Sequence, residues 1–159
     1  MEIVIPGRGN YRFEHLVLDV NGTVACGGRL LDGVRPRLHA LRDAGWQVHW
    51  ITADTRGRQA ILDDKLGWPA QRIRAGEPGG EAGQKAAFVR SLGAEVVVAI
   101  GNGSNDVAML REAGLGIAVL GPEGLALDTL TAADLVAPDI LAALDLLTDP
   151  DRLVATLRR

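Results

Sequence analysis

The sequence predicts an α/β fold, a three-layer α/β/α sandwich around a mostly parallel central sheet. Three observations carry this. Strand-like and helix-like runs alternate from Phe13 to the end of the chain, the order that builds a parallel sheet. The runs Val48-His49-Trp50-Ile51 and Val96-Val97-Val98-Ala99-Ile100 are too apolar for a sheet wetted on one side, so they read as central strands covered on both faces. Glycine follows four helical patterns, at Gly45, Gly67, Gly93 and Gly114, the place of a helix C-cap.

The elements follow in order. Glu2–Ile5 and Tyr11–Phe13 flank Gly7-Arg8-Gly9-Asn10 and read as a small antiparallel hairpin. Leu16–Val20 is the first strand of the main sheet. Val34–Ala44 is a helix, with Val34, Leu38 and Leu41 at helical spacing. Trp46–Ile51 is a strand, and Thr55–Leu66 a helix with Asp54 as its N-cap. Arg72–Arg74 is a weaker strand, and the glycines of Gly76–Gly83 make a mobile loop. Then come a helix Gln84–Leu92 that Lys85 opens, a strand Glu95–Ile100, and a helix Asn105–Ala113 capped by Ser104 or Asn105. Gly116–Leu120, Leu125–Ala132 and Leu135-Val136 continue the alternation. Ile140–Leu147 is helical, with Leu141, Leu144 and Leu147 in register, and a last helix, Arg152–Leu157, packs outside.

Bulk properties exclude several functions. A chain of 159 residues without internal repeats reads as a single domain over 1–159, large enough to bury roughly 70% of its unfolded surface. Net charge is −3, with no Lys/Arg cluster able to follow a phosphate backbone, so no nucleic-acid partner is expected. Cys26 is the one cysteine; no intrachain disulfide can form, which suits a reducing cytosol. No apolar run approaches the roughly 20 residues that cross a bilayer, and the apolar segment within Met1–Arg8 is too short for a signal peptide and follows an acid, Glu2. A cytoplasmic protein with no membrane partner is expected.

The informative stretch is Asp19-Val20-Asn21-Gly22-Thr23, after the apolar run Leu16-Val17-Leu18. It puts a lone carboxylate at the carboxyl end of a buried strand, the edge where open α/β sheets bind ligands. Folding does not need that charge. A nucleophilic Asp is one reason for it, and an Asx-type turn ending the strand is the other. Three more signals fall at the same edge. Thr52 ends the second strand, Lys85 opens a helix, and Gly101-Asn102-Gly103-Ser104-Asn105-Asp106 follows the most apolar strand. A Thr52 hydroxyl donates to phosphate oxygen, and Lys85 supplies a point cation. Gly22 and Gly103 let backbone N–H groups approach an anion. Asn102 and Asp106 offer hard oxygen ligands suited to Mg²⁺. A dinucleotide-binding reading of Gly101-Asn102-Gly103 fails, because Asp106 stands where a third glycine belongs. Trp46, Trp50 and Trp68 read as packing rather than as a recognition box.

With these residues in order, the chain resembles the haloacid dehalogenase-like superfamily, and within it the soluble relatives of P-type ATPase phosphorylation domains. The resemblance covers Leu16 to Ala137. Asp19–Thr23 resembles the first motif, Thr52 the second, Lys85 the third and Gly101–Asp106 the fourth. It implies a Rossmann-like fold with the active site at the carboxyl edge of the sheet, and Mg²⁺-dependent phosphoryl transfer through an aspartyl-phosphate on Asp19. The implied catalytic positions are Asp19 and Asn21, and the implied phosphate-binding residues are Thr52, Lys85, Gly22 and Ala53. The implied metal ligands are Asp19, Asn21 through its main-chain carbonyl, Asn102 and Asp106. The implied substrate is a small phosphorylated molecule. Equal intervals separate Asp19 from Thr52 and Thr52 from Lys85. A helix and a strand consume most of each, leaving no room for a cap domain. An open site of this kind leads to the expectation of a homo-oligomer.

Two positions depart from the family. Its phosphatases place a second Asp two residues after the nucleophile as general acid/base, where this chain has Asn21. The fourth motif usually begins Gly-Asp, and here it is Gly101-Asn102. An amide cannot shuttle a proton, which forgoes on the order of 10²–10⁴-fold. Two expectations follow: a slow phosphohydrolase, or a phosphate-binding regulatory pseudophosphatase. A dehalogenase is the third choice, because Thr23, Lys85 and the metal-ligand motif suit phosphate better than an apolar haloacid.

Overall fold

The computed structural model describes residues 1–53, 59–74 and 78–159. The elements in chain order are β1 (Glu2–Ile5), β2 (Gly9–Arg12), β3 (His15–Asp19), β4 (Ala25–Cys26), β5 (Arg29–Leu30), α1 (Val34–Asp43), β6 (Gln47–Thr52), α2 (Gln59–Leu66), β7 (Gln71–Arg72), α3 (Gly80–Ser91), β8 (Val97–Gly101), α4 (Val107–Glu112), β9 (Leu115–Val119), α5 (Leu127–Ala132), β10 (Leu135–Ala137), α6 (Ile140–Thr148) and α7 (Pro150–Leu157). Short 3₁₀ turns at Ala94–Val96 and Ser104–Asp106 lead into β8 and α4.

Among the described residues, six strands form one sheet in the order β10-β9-β8-β3-β6-β7, with every neighbouring pair parallel. The chain enters at the middle in β3, steps outward through β6 and β7, then returns to β8 on the other side of β3. That reversal leaves a crevice at the carboxyl ends of β3 and β8, the place where doubly wound sheets bind ligands. Leu18 faces Trp50 on one side and Ile100 on the other, which fixes the register of the three central strands.

The pleat sends alternate residues to opposite layers. Leu16, Leu18, Trp50 and Ile100 pack with Leu38 and Leu41 of α1 and with Leu144 and Leu147 of α6. Val17, Ile51 and Ala99 pack on the other face with Val89 of α3 and with Met109 and Leu110 of α4. Arg37 ties α1 to α6 through two bonds to Asp145, of 2.6 and 3.0 Å. No helix among the described residues is long and apolar enough to cross a membrane.

The expected fold class is the observed one, with corrections in detail. Gly114 is not a left-handed cap. α4 ends at Ala113 with φ −68° and ψ 151°, and a Cβ on Gly114 would stand 2.5 Å from Glu95 O. That glycine is there for a close backbone approach. Helix α3 starts at Gly80, inside the stretch read as a mobile loop, so Lys85 lies in its second turn instead of opening it. Glycine costs about 1 kcal/mol in a helix; burial of Ala86 and Val89 along α3 and the pairing of Lys85 with Asp19 and Asp106 offset it. Gln84 also anchors this start, accepting from Arg74 N at 3.0 Å and donating to Arg74 O at 2.9 Å. The β4–β5 hairpin was not expected, since two-residue strands carry no apolar period. β2 begins at Gly9, and β7 precedes Ile73. The Asp54 cap, the start of the helix expected from Thr55, and Gly76 and Glu77 lie outside the described residues.

Candidate active site

The sheet brings the expected residues to one edge. Asp19 is the last residue of β3, Thr52 the last of β6, and Asn102 follows the last residue of β8. All three are buried, and Lys85 and Asp106 have no exposed surface. Ala53 is half-buried beside Thr52, Gly22 is buried, and Asn21 is exposed.

After Asp19 the chain turns tightly. Val20 O accepts from the backbone N–H groups of Thr23, Val24 and Ala25, and Gly22 N donates to Ala25 O at 2.8 Å. Gly22 holds φ 82°, and a Cβ there would stand 2.6 Å from Asn102 Nδ2, so only glycine fits the turn against the neighbouring loop. Its N–H is engaged with Ala25, so what Gly22 contributes here is close approach. The turn folds Thr23 back on the strand end. Thr23 Oγ1 lies 3.3 Å from Asp19 Oδ2 and 3.1 Å from Asn102 Oδ1, one hydroxyl proton serving two acceptors.

Lys85 binds both buried acids. Its Nζ donates to Asp19 Oδ1 and to Asp106 Oδ1, each at 2.7 Å. Asp106 Oδ2 accepts from Asn102 N at 2.9 Å and Gly103 N at 3.0 Å. The anion that Gly103 N–H approaches is therefore the protein's own Asp106, which fixes the loop and Lys85 together. One ammonium faces two buried carboxylates, so negative charge is in excess. Burial and the Asp106 carboxylate push the Asp19 carboxyl up to about 7, against the pull of Lys85. Burial alone would lower Lys85, but Asp19 and Asp106 outweigh it and hold the ammonium above its ordinary range.

Several contributors carried no sequence signal. Asn102 Nδ2 donates to Gly124 O at 3.0 Å, and the fully buried Thr129 donates to Gly103 O at 2.7 Å. Glu81, one helical turn before Lys85, accepts from Asn105 Nδ2 at 2.6 Å and lies 3.5 Å from Lys85 Nζ. Its spacing of four from Lys85 was the one available hint.

For a metal, no group of three or more His, Cys, Asp or Glu side chains is gathered among the described residues. The side-chain oxygens that meet at the crevice are those of the Asp19 carboxylate and the Asn102 amide, joined through Thr23 Oγ1. This set suits a hard divalent cation in kind; burial first, and the Asp106 carboxylate second, raise Asp19, and a cation would relieve the second. Both oxygens of Asp106 are already engaged.

Fold and site define a Rossmann-type α/β domain with an acid-lined crevice at its switch point. The chain belongs to the haloacid dehalogenase-like hydrolase family, whose model matches residues 7–114. Over 62 residues it is 50% identical to an uncharacterized protein of Methanocaldococcus jannaschii, covering 39% of this chain and 67% of that protein. Over 51 residues it is 46% identical to the phospholipid-transporting ATPase tat-1 of Caenorhabditis elegans, 32% of this chain but only 4% of the ATPase. Among solved structures it is similar to 3-deoxy-D-manno-octulosonate 8-phosphate phosphatase of Moraxella catarrhalis, crystallised with magnesium and phosphate. The TM-score is 0.66 at 20% identity, over 92% of this chain and 94% of that one. A phosphoserine phosphatase gives 0.67 at 15% identity over 87% and 99%. A zinc-transporting PIB-type ATPase gives 0.63 at 21% identity, over 80% of this chain and 20% of the transporter. At these identities the likeness shows the fold alone.

Proposed function

We propose that the protein is a Mg²⁺-dependent phosphohydrolase that works through an aspartyl-phosphate on Asp19. The observation that carries this is the Asp19 carboxylate at the switch point, bonded to Lys85 Nζ at 2.7 Å and close to Thr23 Oγ1 at 3.3 Å. A buried carboxylate with an ammonium beside it suits attack on a phosphorus that carries negative oxygens. The Thr52 hydroxyl, the Ala53 N–H and Lys85 hold the phosphoryl oxygens, and the turn at Gly22 lets them come close. Asp19, the Asn21 carbonyl and Asn102 would hold Mg²⁺, with Asp106 joining through lone pairs left over from its bonds to Lys85, Asn102 N and Gly103 N; the ion would offset charge on the phosphoryl group.

An Asp19 oxygen attacks phosphorus and the ester P–O bond breaks. The leaving oxygen takes its proton from solvent, since the Asn21 amide N–H is too weak an acid to supply it. Water then attacks the acyl phosphate, releasing inorganic phosphate and a proton and restoring Asp19. Both steps lack a positioned proton carrier, so turnover is slow. The same exposed amide favours a second reading, a phosphate-binding pseudophosphatase.

The reading extends to a single domain without a cap. Between Asp19 and Thr52 the described chain is spent on β4, β5, α1 and β6. It takes a small phosphorylated molecule as substrate, and a homo-oligomer in the cytoplasm as the working form. The test is phosphate release from a phosphomonoester panel with Mg²⁺, beside Asp19→Asn. Release that disappears in Asp19→Asn supports the hydrolase. No release, with phosphate still raising the melting temperature, supports the pseudophosphatase. Release that survives Asp19→Asn would overturn the role of Asp19.

A further inference from the structure

We infer that the site is built around an amide at position 102, and that Asn102 is a positioning residue that fastens the 121–129 segment to the turn carrying Asp19. This rests on the reading of Asp19 as the reacting group. Asn102 Nδ2 donates to Gly124 O at 3.0 Å, and its Oδ1 accepts from Thr23, which also touches Asp19 Oδ2. A line of contacts therefore runs from Gly124 through Asn102 and Thr23 to Asp19. The amide nitrogen also stands only 2.6 Å from where a Cβ on Gly22 would fall, so the turn closes directly on it.

A carboxylate cannot take this place unchanged. It has acceptors only, and would set a negative oxygen against Gly124 O, in a crevice that already holds Asp19 and Asp106 against one Lys85. The reverse orientation of the amide fails in the same way, with carbonyl facing carbonyl. The main chain repeats the attachment: Ala126 N donates to Asn102 O at 3.0 Å. Thr129 caps Gly103 O, and Ser104 Oγ donates to Asp128 Oδ1 at 2.9 Å. Asparagine here is the residue its neighbours require, not an aspartate that has lost a charge. Its Oδ1 keeps a second lone pair for other work.

The experiment compares the wild-type chain with Asn102→Asp and Asn102→Ala. Amide hydrogen exchange of residues 121–129 is followed in EDTA and in saturating Mg²⁺, with Mg²⁺ affinity by calorimetry and phosphate release from p-nitrophenyl phosphate. Both variants are expected to speed exchange in 121–129 about tenfold or more, the scale of one lost buried hydrogen bond, and Mg²⁺ is not expected to restore it. The maximal rate should fall about tenfold with KM little changed, as for a displaced nucleophile. The inference is overturned if Asn102→Asp keeps wild-type protection, binds Mg²⁺ more tightly and releases phosphate faster. If Asn102→Asp does not fold, Asn102→Ala decides, and wild-type exchange in that variant overturns the inference. A wild-type chain that releases no phosphate counts against the proposed hydrolase, while the exchange result still judges Asn102.

Discussion

Lys85 Nζ lies 2.7 Å from Asp19 Oδ1 and at the same distance from Asp106 Oδ1, with no part of the lysine exposed. A single ammonium thus joins β3 to the loop after β8, across the switch point. Replacing Lys85 by Met keeps much of its volume and leaves two carboxylates buried without a cation. Breaking a buried pair in this way costs about 3–5 kcal/mol. Urea unfolding of Lys85→Met at pH 7.5 should show a loss of that order, and a loss under about 1 kcal/mol would mean the acids find water or protons cheaply.

Asp19 gives the opposite result. Burial and Asp106 raise its folded carboxyl to about 7 from an ordinary 3.8. Between those values the folded protein holds more protons than the unfolded chain, so this group's contribution is fully present below pH 3.8 and is lost as pH rises through about 7. Without metal, Asp19→Asn should match the wild type near pH 4 and exceed it above pH 7, by on the order of a few kcal/mol. Denaturant curves in EDTA at several pH values measure this. Equal stabilities at pH 8 would show that Lys85 alone neutralises the site.

How much of this was legible follows from the residues themselves. Asp19, Thr52 and Asn102 are strand-end residues, and a parallel sheet delivers strand ends to one edge whatever the helices do. Their meeting was therefore readable from alternation alone. Lys85 was readable as a participant but not as buried, because its second-turn position depends on a helix that begins in glycines. Thr129 and Gly124 were not readable. Each acts through one bond to a loop more than twenty residues away, and nothing in the local pattern marks a hydroxyl or a carbonyl for that task. Gly114 was misread because a cap and a close approach both call for glycine, and only packing against Glu95 separates them.

Gly22 makes a sharp local prediction. Its φ of 82° costs a side-chain residue roughly 1–2 kcal/mol, and the added Cβ would meet Asn102 Nδ2 at 2.6 Å. Gly22→Ala should lose at least about 2 kcal/mol in urea unfolding, since strain and displacement of the Asn102 amide act together. Amide exchange should rise around 121–129 as well. A variant as stable as wild type would show that the turn relaxes away from the loop.

Asn21 is the position at which chemistry and stability separate. It is exposed, so Asn21→Asp should change stability by no more than about 0.5 kcal/mol. If the missing step is proton transfer to the leaving oxygen, the new carboxyl restores it, and phosphate release should rise by on the order of 10²–10⁴. The rise should appear in the maximal rate, because no phosphate-binding group has changed. Asn102→Asp is the paired control: it also adds one carboxylate beside Asp19, but where Gly124 O requires a donor. A gain at position 21 with a loss at 102 would show that the two asparagines differ in kind, one leaving out a proton carrier and the other holding the nucleophile turn in place. A gain at both would make metal charge the limiting factor. No gain at either, with Mg²⁺ and phosphate still bound, would place the protein among phosphate-binding switches.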